Sequence, residues 1–192
     1  MLDASLWTTK VDKLLLKDVY FYIANLSAQL NHAGKLLVVQ ENNGPLKGKN
    51  FWKIPTGLVD SGEDIHLASC REVFEETGIQ TEFVGLLCFR HAHNFQFGKS
   101  DLLFVCLLKP LTSVIVKQDS EISACQWIEL DEYMNQDLFL SSPIYSALNL
   151  LIDKVAKDEK FDDYLGNITL PVGFMPGSNT LYLPSNQISN KI

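Results

Sequence analysis

The segment Gly57-Leu58-Val59-Asp60-Ser61-Gly62-Glu63-Asp64-Ile65-His66-Leu67-Ala68-Ser69-Cys70-Arg71-Glu72-Val73-Phe74-Glu75-Glu76-Thr77-Gly78-Ile79 decides how the rest of the chain is read. Its second half, Asp64 to Thr77, has helical periodicity and stops at a glycine, the residue that most readily ends a helix. With Glu72 set to zero and about 100° per residue, Glu75 lies near −60° and Glu76 near +40°, so three carboxylates share one sector. Leu67, Cys70, Phe74 and Thr77 fall within about 40° of the opposite side. That stripe is expected to face the core, with the acidic sector turned away from it. Neighbouring carboxylates on such a face are roughly 6 Å apart and repel by about 2–3 kcal/mol at an effective dielectric near 20. A helix gains nothing structural from this, whereas a hard divalent cation turns the repulsion into attraction. Arg71, one turn before Glu75, is placed to hold that carboxylate.

The spacing Gly-x5-Glu-x7-Arg-Glu-apolar-x-Glu-Glu-x-Gly-apolar is met at Gly57, Glu63, Arg71, Glu72, Val73, Glu75, Glu76, Gly78 and Ile79. At average residue frequencies a chance match in a chain of this length is on the order of 10⁻⁷. The segment is identified as a Nudix box, and the resemblance implies the family's fold, an α/β/α sandwich around a mixed sheet. It also implies a hydrolase that uses Mg²⁺, with Mn²⁺ as a substitute, to split the diphosphate of a nucleoside diphosphate derivative. By match to the box, Glu72, Glu75 and Glu76 correspond to metal-binding carboxylates, and the carbonyl of Gly57 to a further ligand. Glu63 and Arg71 correspond to residues that orient the loop and helix. Glu121, six residues before Trp127, matches a downstream position that supplies a metal ligand or base. The proton of the attacking water goes to a box carboxylate or to a carboxylate of a later loop, and both assignments stay open.

Finer resemblance runs from about Leu36 to Trp127. Leu37-Val38-Val39-Gln40-Glu41, Trp52-Lys53-Ile54-Pro55-Thr56-Gly57, Gly98-Lys99-Ser100-Asp101 and Val105-Cys106-Leu107-Leu108-Lys109-Pro110 are similar to the plant-type branch of ADP-ribose and NADH pyrophosphatases. This implies ADP-ribose or NADH as substrate, AMP as a product, and a homodimer. Coenzyme A, RNA-cap and nucleoside-triphosphate hydrolysis are the alternatives within the family, and a weakly active regulatory binding module is the alternative outside catalysis. The chain departs from the branch in its short lead and in its first strand, Ile23-Ala24-Asn25-Leu26-Ser27-Ala28-Gln29-Leu30-Asn31, which lacks the usual glycines.

Around the box, the 192 residues divide into a lead (1–18), a catalytic domain (19–160) and a tail (161–192). Val19–Leu30 and Lys35–Gln40 read as a hairpin about Asn31-His32-Ala33-Gly34, and Phe51–Pro55 as a short strand. Thr81–Arg90, Asp101–Leu108 and Ala124–Glu129 read as strands, and Pro143–Ala156 as a second amphipathic helix. In the tail only Asn179–Leu183 has an ordered pattern.

The formal charge of −7 argues against a general nucleic-acid or anionic-membrane partner, so the expected partner is a small nucleotide. No apolar run is long enough to cross a bilayer, and the start has neither signal- nor transit-peptide character. Cys70, Cys88, Cys106 and Cys125 lack metal-knuckle or redox spacing and lie mostly in apolar stretches, which favours reduced cysteines and a cytoplasmic setting. Gly98-Lys99-Ser100 resembles the end of a nucleotide-binding loop, but His93 stands where its first glycine belongs. His91 and His93 lack a third ligand nearby, so zinc is not expected. Lys53, Trp52, Phe95 and Lys99 are the candidate substrate contacts.

Overall fold

The computed structural model describes residues 19–29, 35–43, 47–93, 99–157, 162–171 and 178–184. Its elements are β1 (Val19–Gln29), β2 (Lys35–Glu41), β3 (Thr56–Leu58), α1 (Ile65–Thr77), β4 (Thr81–Ala92) and β5 (Ser100–Pro110). They continue with β6 (Ile122–Glu129), α2 (Leu130–Met134), α3 (Asp137–Leu140), α4 (Pro143–Lys157), β7 (Leu165–Pro171) and β8 (Ser178–Pro184). The strands order as β6-β2-β1-β5-β4-β7-β8, with β3 on β1. β1 and β5 run parallel, while β2, β3, β4 and β6 pair antiparallel, so the sheet is mixed as expected.

β2 and β5 are buried on both faces, so their sequences read as continuous apolar runs. Leu36 and Val38 of β2, with Val105 and Leu107 of β5, pack on one side against Tyr133, Phe139, Ile152 and Val155 from α2, α3 and α4. The alternate residues Leu37, Cys106 and Leu108 pack on the other side against Ala68 and Val73 of α1. This period of two divides the core into two layers and gives the α/β/α sandwich.

Several expectations need correction. Phe51–Pro55 is not a strand: Lys53 makes one bridge to Val39, and the paired strand begins at Thr56. Pro55 has no N–H for a ladder, and the backbone of Trp52 is taken by the side chain of Gln136 at 2.7 and 2.9 Å. The tail contains two strands rather than one ordered stretch. β7 and β8 form a hairpin from Leu165↔Pro184 to Pro171↔Ser178, joined to the main sheet at Leu86↔Leu165.

The face of α1 also differs from the helical-wheel expectation. Thr77 is buried, but Leu67 and Phe74 are 56% and 51% exposed, and the buried set is Ala68, Ser69, Val73, Glu76 and Thr77. Small residues let the helix lie close on the sheet, and its largest apolar side chains point away. The turn of β1 into β2 at residues 30–34 lies outside the described residues, though the antiparallel pairing Ala28↔Leu36 agrees with the hairpin. All four cysteines are free.

Candidate active site

α1 is held at both ends by the sequence around it. Gly78 takes a left-handed φ of 72° and returns its N–H to the Phe74 carbonyl at 2.8 Å. At the other end, Asp64 occupies the N-cap but leaves its carboxylate to Thr180, whose hydroxyl donates to Oδ2 at 2.8 Å. The Tyr182 hydroxyl of β8 accepts the His66 N–H at 3.1 Å, one of the helix-start donors without an internal partner.

Arg71 fastens the loop to the helix. Its Nε and Nη2 donate to Glu63 at 2.8 and 2.7 Å, and Nη2 also donates to the Leu58 carbonyl at 3.0 Å. Nη1 reaches Glu72 at 2.8 Å and Glu75 at 3.1 Å. Glu63 in turn accepts the Asp60 N–H at 3.1 Å, so one guanidinium and one carboxylate fix the loop over α1. The Arg71 hydrogen bond is the main reason that the Glu63 carboxyl is held below its ordinary value.

Gly57 shows why the box begins with glycine. A Cβ there would stand 1.9 Å from Cδ of Glu72, so only a bare backbone lets that carboxylate lie beside β3. The resulting cleft, about 500 Å³, is lined by Gly57, Glu72, Glu76 and Glu121, together with Glu41 and Thr56. Glu76 is 5% exposed, its Oε2 is buried, and that oxygen has no hydrogen-bond partner among the described residues. Burial raises its carboxyl to about 8, Lys53 opposing the shift and Glu72 and Glu41 adding to it. Burial also raises Glu72, against the pull of Arg71.

Glu121 is placed by its loop. Val116 and Gln118 donate to the last carbonyls of α1, at Thr77 and Glu76, over 2.8 and 3.1 Å. Trp127 pins the other part of that loop through Nε1 to Ser113 O at 3.3 Å, and Asn42 N–H donates to the Glu121 carbonyl at 2.7 Å. The spacing between Glu121 and Trp127 is thus that of a loop end and its staple.

Of the residues singled out in the sequence, Gly57, Glu72, Glu76 and Glu121 come together in the cleft. Glu75 is half-exposed and turned toward Arg71. Lys53 donates to Glu41 and, at 2.6 Å, to the Thr56 hydroxyl. Trp52 packs against the core layer beneath α2–α4, and neither it nor Lys99 lines the cleft. Phe95 lies outside the described residues. The His91 and His93 rings meet edge to face at 4.2 Å. Glu41 and Thr56 were missed. The signal was available, since Glu41 follows the buried Leu37–Val39 run at the open end of β2.

An orphaned buried carboxylate oxygen of Glu76, sharing a cleft with the carboxylates of Glu72 and Glu121, fits a hard cation. Among the described residues, no group of three His, Cys, Asp or Glu side chains is arranged to hold a metal ion by itself. A cation here would therefore complete its shell with backbone, water or phosphate oxygens, as Mg²⁺ commonly does.

A NUDIX domain model matches residues 24–148. The chain belongs to the Nudix family. Nudix hydrolase 2 of Arabidopsis thaliana is 40% identical over 96% of this chain and 65% of its own length. Nucleoside diphosphate-linked moiety X motif 6 of Xenopus laevis is 45% identical, over 60% of this chain and 54% of its own. This Nudix chain thus spans less than two thirds of these relatives, and the Arabidopsis match agrees with the plant-type resemblance. The NUDIX domain of Shewanella oneidensis NrtR, in a structure complexed with ADP ribose, superposes with a TM-score of 0.63 at 17% identity. That likeness covers 81% of this Nudix chain and 99% of the other, and shows the fold. No helix among the described residues is long and apolar enough to cross a membrane.

Proposed function

We propose that this Nudix protein is a Mg²⁺-dependent pyrophosphohydrolase that cleaves the diphosphate of ADP-ribose or NADH and releases AMP. The observation that carries the reading is the unpartnered buried oxygen of Glu76, set beside Glu72 and the glycine strand that makes room for it. The ADP ribose bound to the Shewanella domain is consistent with this substrate class.

Glu72, Glu76 and the Gly57 carbonyl would hold the cation, with Glu75 and Glu121 as further carboxylates of the site. When bound, Mg²⁺ supplies positive charge against the diphosphate oxygens and lowers the pKa of water. Arg71 keeps Glu72 and Glu75 oriented without entering the cleft. Lys53, which opposes the rise of the Glu76 carboxyl through space, is ion-paired to Glu41 and hydrogen-bonded to Thr56 of the cleft lining, and so holds those two residues in place. A water oxygen bonds to one phosphorus, the bridging P–O bond breaks, and the departing phosphate keeps the electron pair. The water's proton goes to a carboxylate of α1 or to Glu121.

A substrate panel with Mg²⁺ or Mn²⁺, read by AMP release, tests the proposal. Turnover of ADP-ribose or NADH, with nucleoside triphosphates and coenzyme A left intact, supports it. Broad triphosphate hydrolysis, or binding without turnover in either metal, overturns it.

A further inference from the structure

α1 turns an apolar ridge to solvent. Leu67 and Phe74 stand two turns apart on its outer side, both exposed, with Cys70 between them. The ridge does not stop at the helix end. Gly78 follows Phe74 by about one turn, and a Cβ there would stand 2.9 Å from Cβ of Val116. The exposed Val116 side chain therefore sits where residue 78 would carry one, and it extends the ridge. Leu58, also exposed, lies at the flank, where its carbonyl is held by Arg71. Single exposed apolar residues are ordinary, but several that adjoin mark a surface made for a partner.

Residues 1–18 lie outside the described residues, and their sequence carries a matching face. With Trp7 at zero on a helical wheel, Leu14 falls at about −20°, Val11 at about 40° and Leu15 at about 80°. Lys10, Lys13 and Lys17 fall between about −60° and −120°, so a lysine edge borders an apolar sector. Trp7 and Leu14 are seven apart, as Leu67 and Phe74 are, the spacing at which two helices interlock side by side.

The reach fits as well. β1 begins at Val19, and its Ile23 pairs with Gly57, beside which the Glu72 carboxylate of α1 lies. The lead thus leaves the sheet about 13 Å along the strand from the point where β1 passes the middle of α1. A helix of the lead's length spans about 27 Å, against roughly 20 Å for α1.

We propose that residues 4–17 form an amphipathic helix that lies along the outer side of α1, with Trp7, Val11 and Leu14 packed on Leu67, Phe74 and Val116. The lead then holds α1 from outside while Ala68 and Val73 hold it to the sheet, so the helix that carries Glu72 and Glu76 is packed on two sides. This stands whichever diphosphate the cleft takes.

Two measurements on the full chain test it. With p-benzoylphenylalanine at position 74, irradiation is expected to join that residue to peptides from residues 1–17 in a product of single-chain mass. Attachment to a second copy, to another segment, or to nothing overturns the proposal. Leu67→Asp and Trp7→Asp are melted separately and together. Each is expected to lower Tm by at least ~3 °C, and the pair by no more than the larger single loss, since both break one interface. A bare ridge would tolerate Leu67→Asp without loss. An unchanged Tm, or losses that add, therefore overturns the proposal. Leu150→Asp, at an exposed site on α4, is the control and leaves Tm unchanged. A loss there that merges with that of Trp7→Asp would seat the lead on α4 and likewise overturns the proposal.

Discussion

The carboxylate of Glu72 lies in the space that a Cβ on Gly57 would fill, since an added methyl group would stand 1.9 Å from the carboxylate carbon. The clash falls on the mobile end of a side chain, so Gly57→Ala is expected to fold normally. It displaces Glu72 from the cleft, and a misplacement of about 1 Å in such a group costs on the order of 10²-fold in rate. Circular dichroism and turnover together check this, and a fully active Gly57→Ala protein would contradict it.

The two acidic candidates for proton transfer separate by variant. Glu76→Gln removes the carboxyl oxygen and its ability to ionise from the buried wall, and lowers turnover at least ~10²-fold with the fold intact. Glu121→Gln leaves metal affinity measurable, so its effect is read from the pH–rate profile. A lost acidic limb assigns the proton to Glu121, and an unchanged profile assigns it to α1.

Acid stability depends on the Glu63–Arg71 pair. The folded-state value of the Glu63 carboxyl lies below its ordinary 4.5, chiefly through the hydrogen bond from Arg71. Its contribution is therefore fully present above that value and lost as pH falls through the folded one. Urea titrations at neutral and acid pH are expected to show wild type more stable than Glu63→Gln above pH 4.5, with the gap closing below it. A gap independent of pH would show that the pair does not act through charge.

Tyr182 carries the tail hairpin's hold on the catalytic helix. Tyr182→Phe removes the acceptor for His66 N–H and is expected to cost about 1 kcal/mol, hence about 2–4 °C in Tm. The loss should leave the α1 carboxylates in place, so the metal dependence of turnover stays unchanged while Tm drops. An unaltered melting curve would mean that β8 does not brace α1.

The catalytic element was legible because its spacing encodes several constraints at once. Gly57, Glu63, Arg71 and Gly78 serve the clearance, hydrogen bonds and turn that the structure displays. β2 and β5 were legible from apolar runs that two-sided burial explains. The buried face of α1 was not, because the wheel weights Leu67 and Phe74 by size, while close packing on the sheet selects Ala68 and Val73. β7 and the short helices α2 and α3 were hidden for another reason. Their order comes from distant partners such as β8 and Trp52, and no local period of Leu165–Pro171 or Leu130–Leu140 announces them.

The central claim is that Glu72, Glu76 and the Gly57 carbonyl grip a divalent cation against a diphosphate. Its most direct test is anomalous scattering from Mn²⁺ in crystals soaked with a non-hydrolysable ADP-ribose analogue. The account predicts a Mn²⁺ peak bounded by those three groups, with a phosphate oxygen completing its shell. Ordered nucleotide elsewhere, with no metal between Glu72 and Glu76, would contradict it.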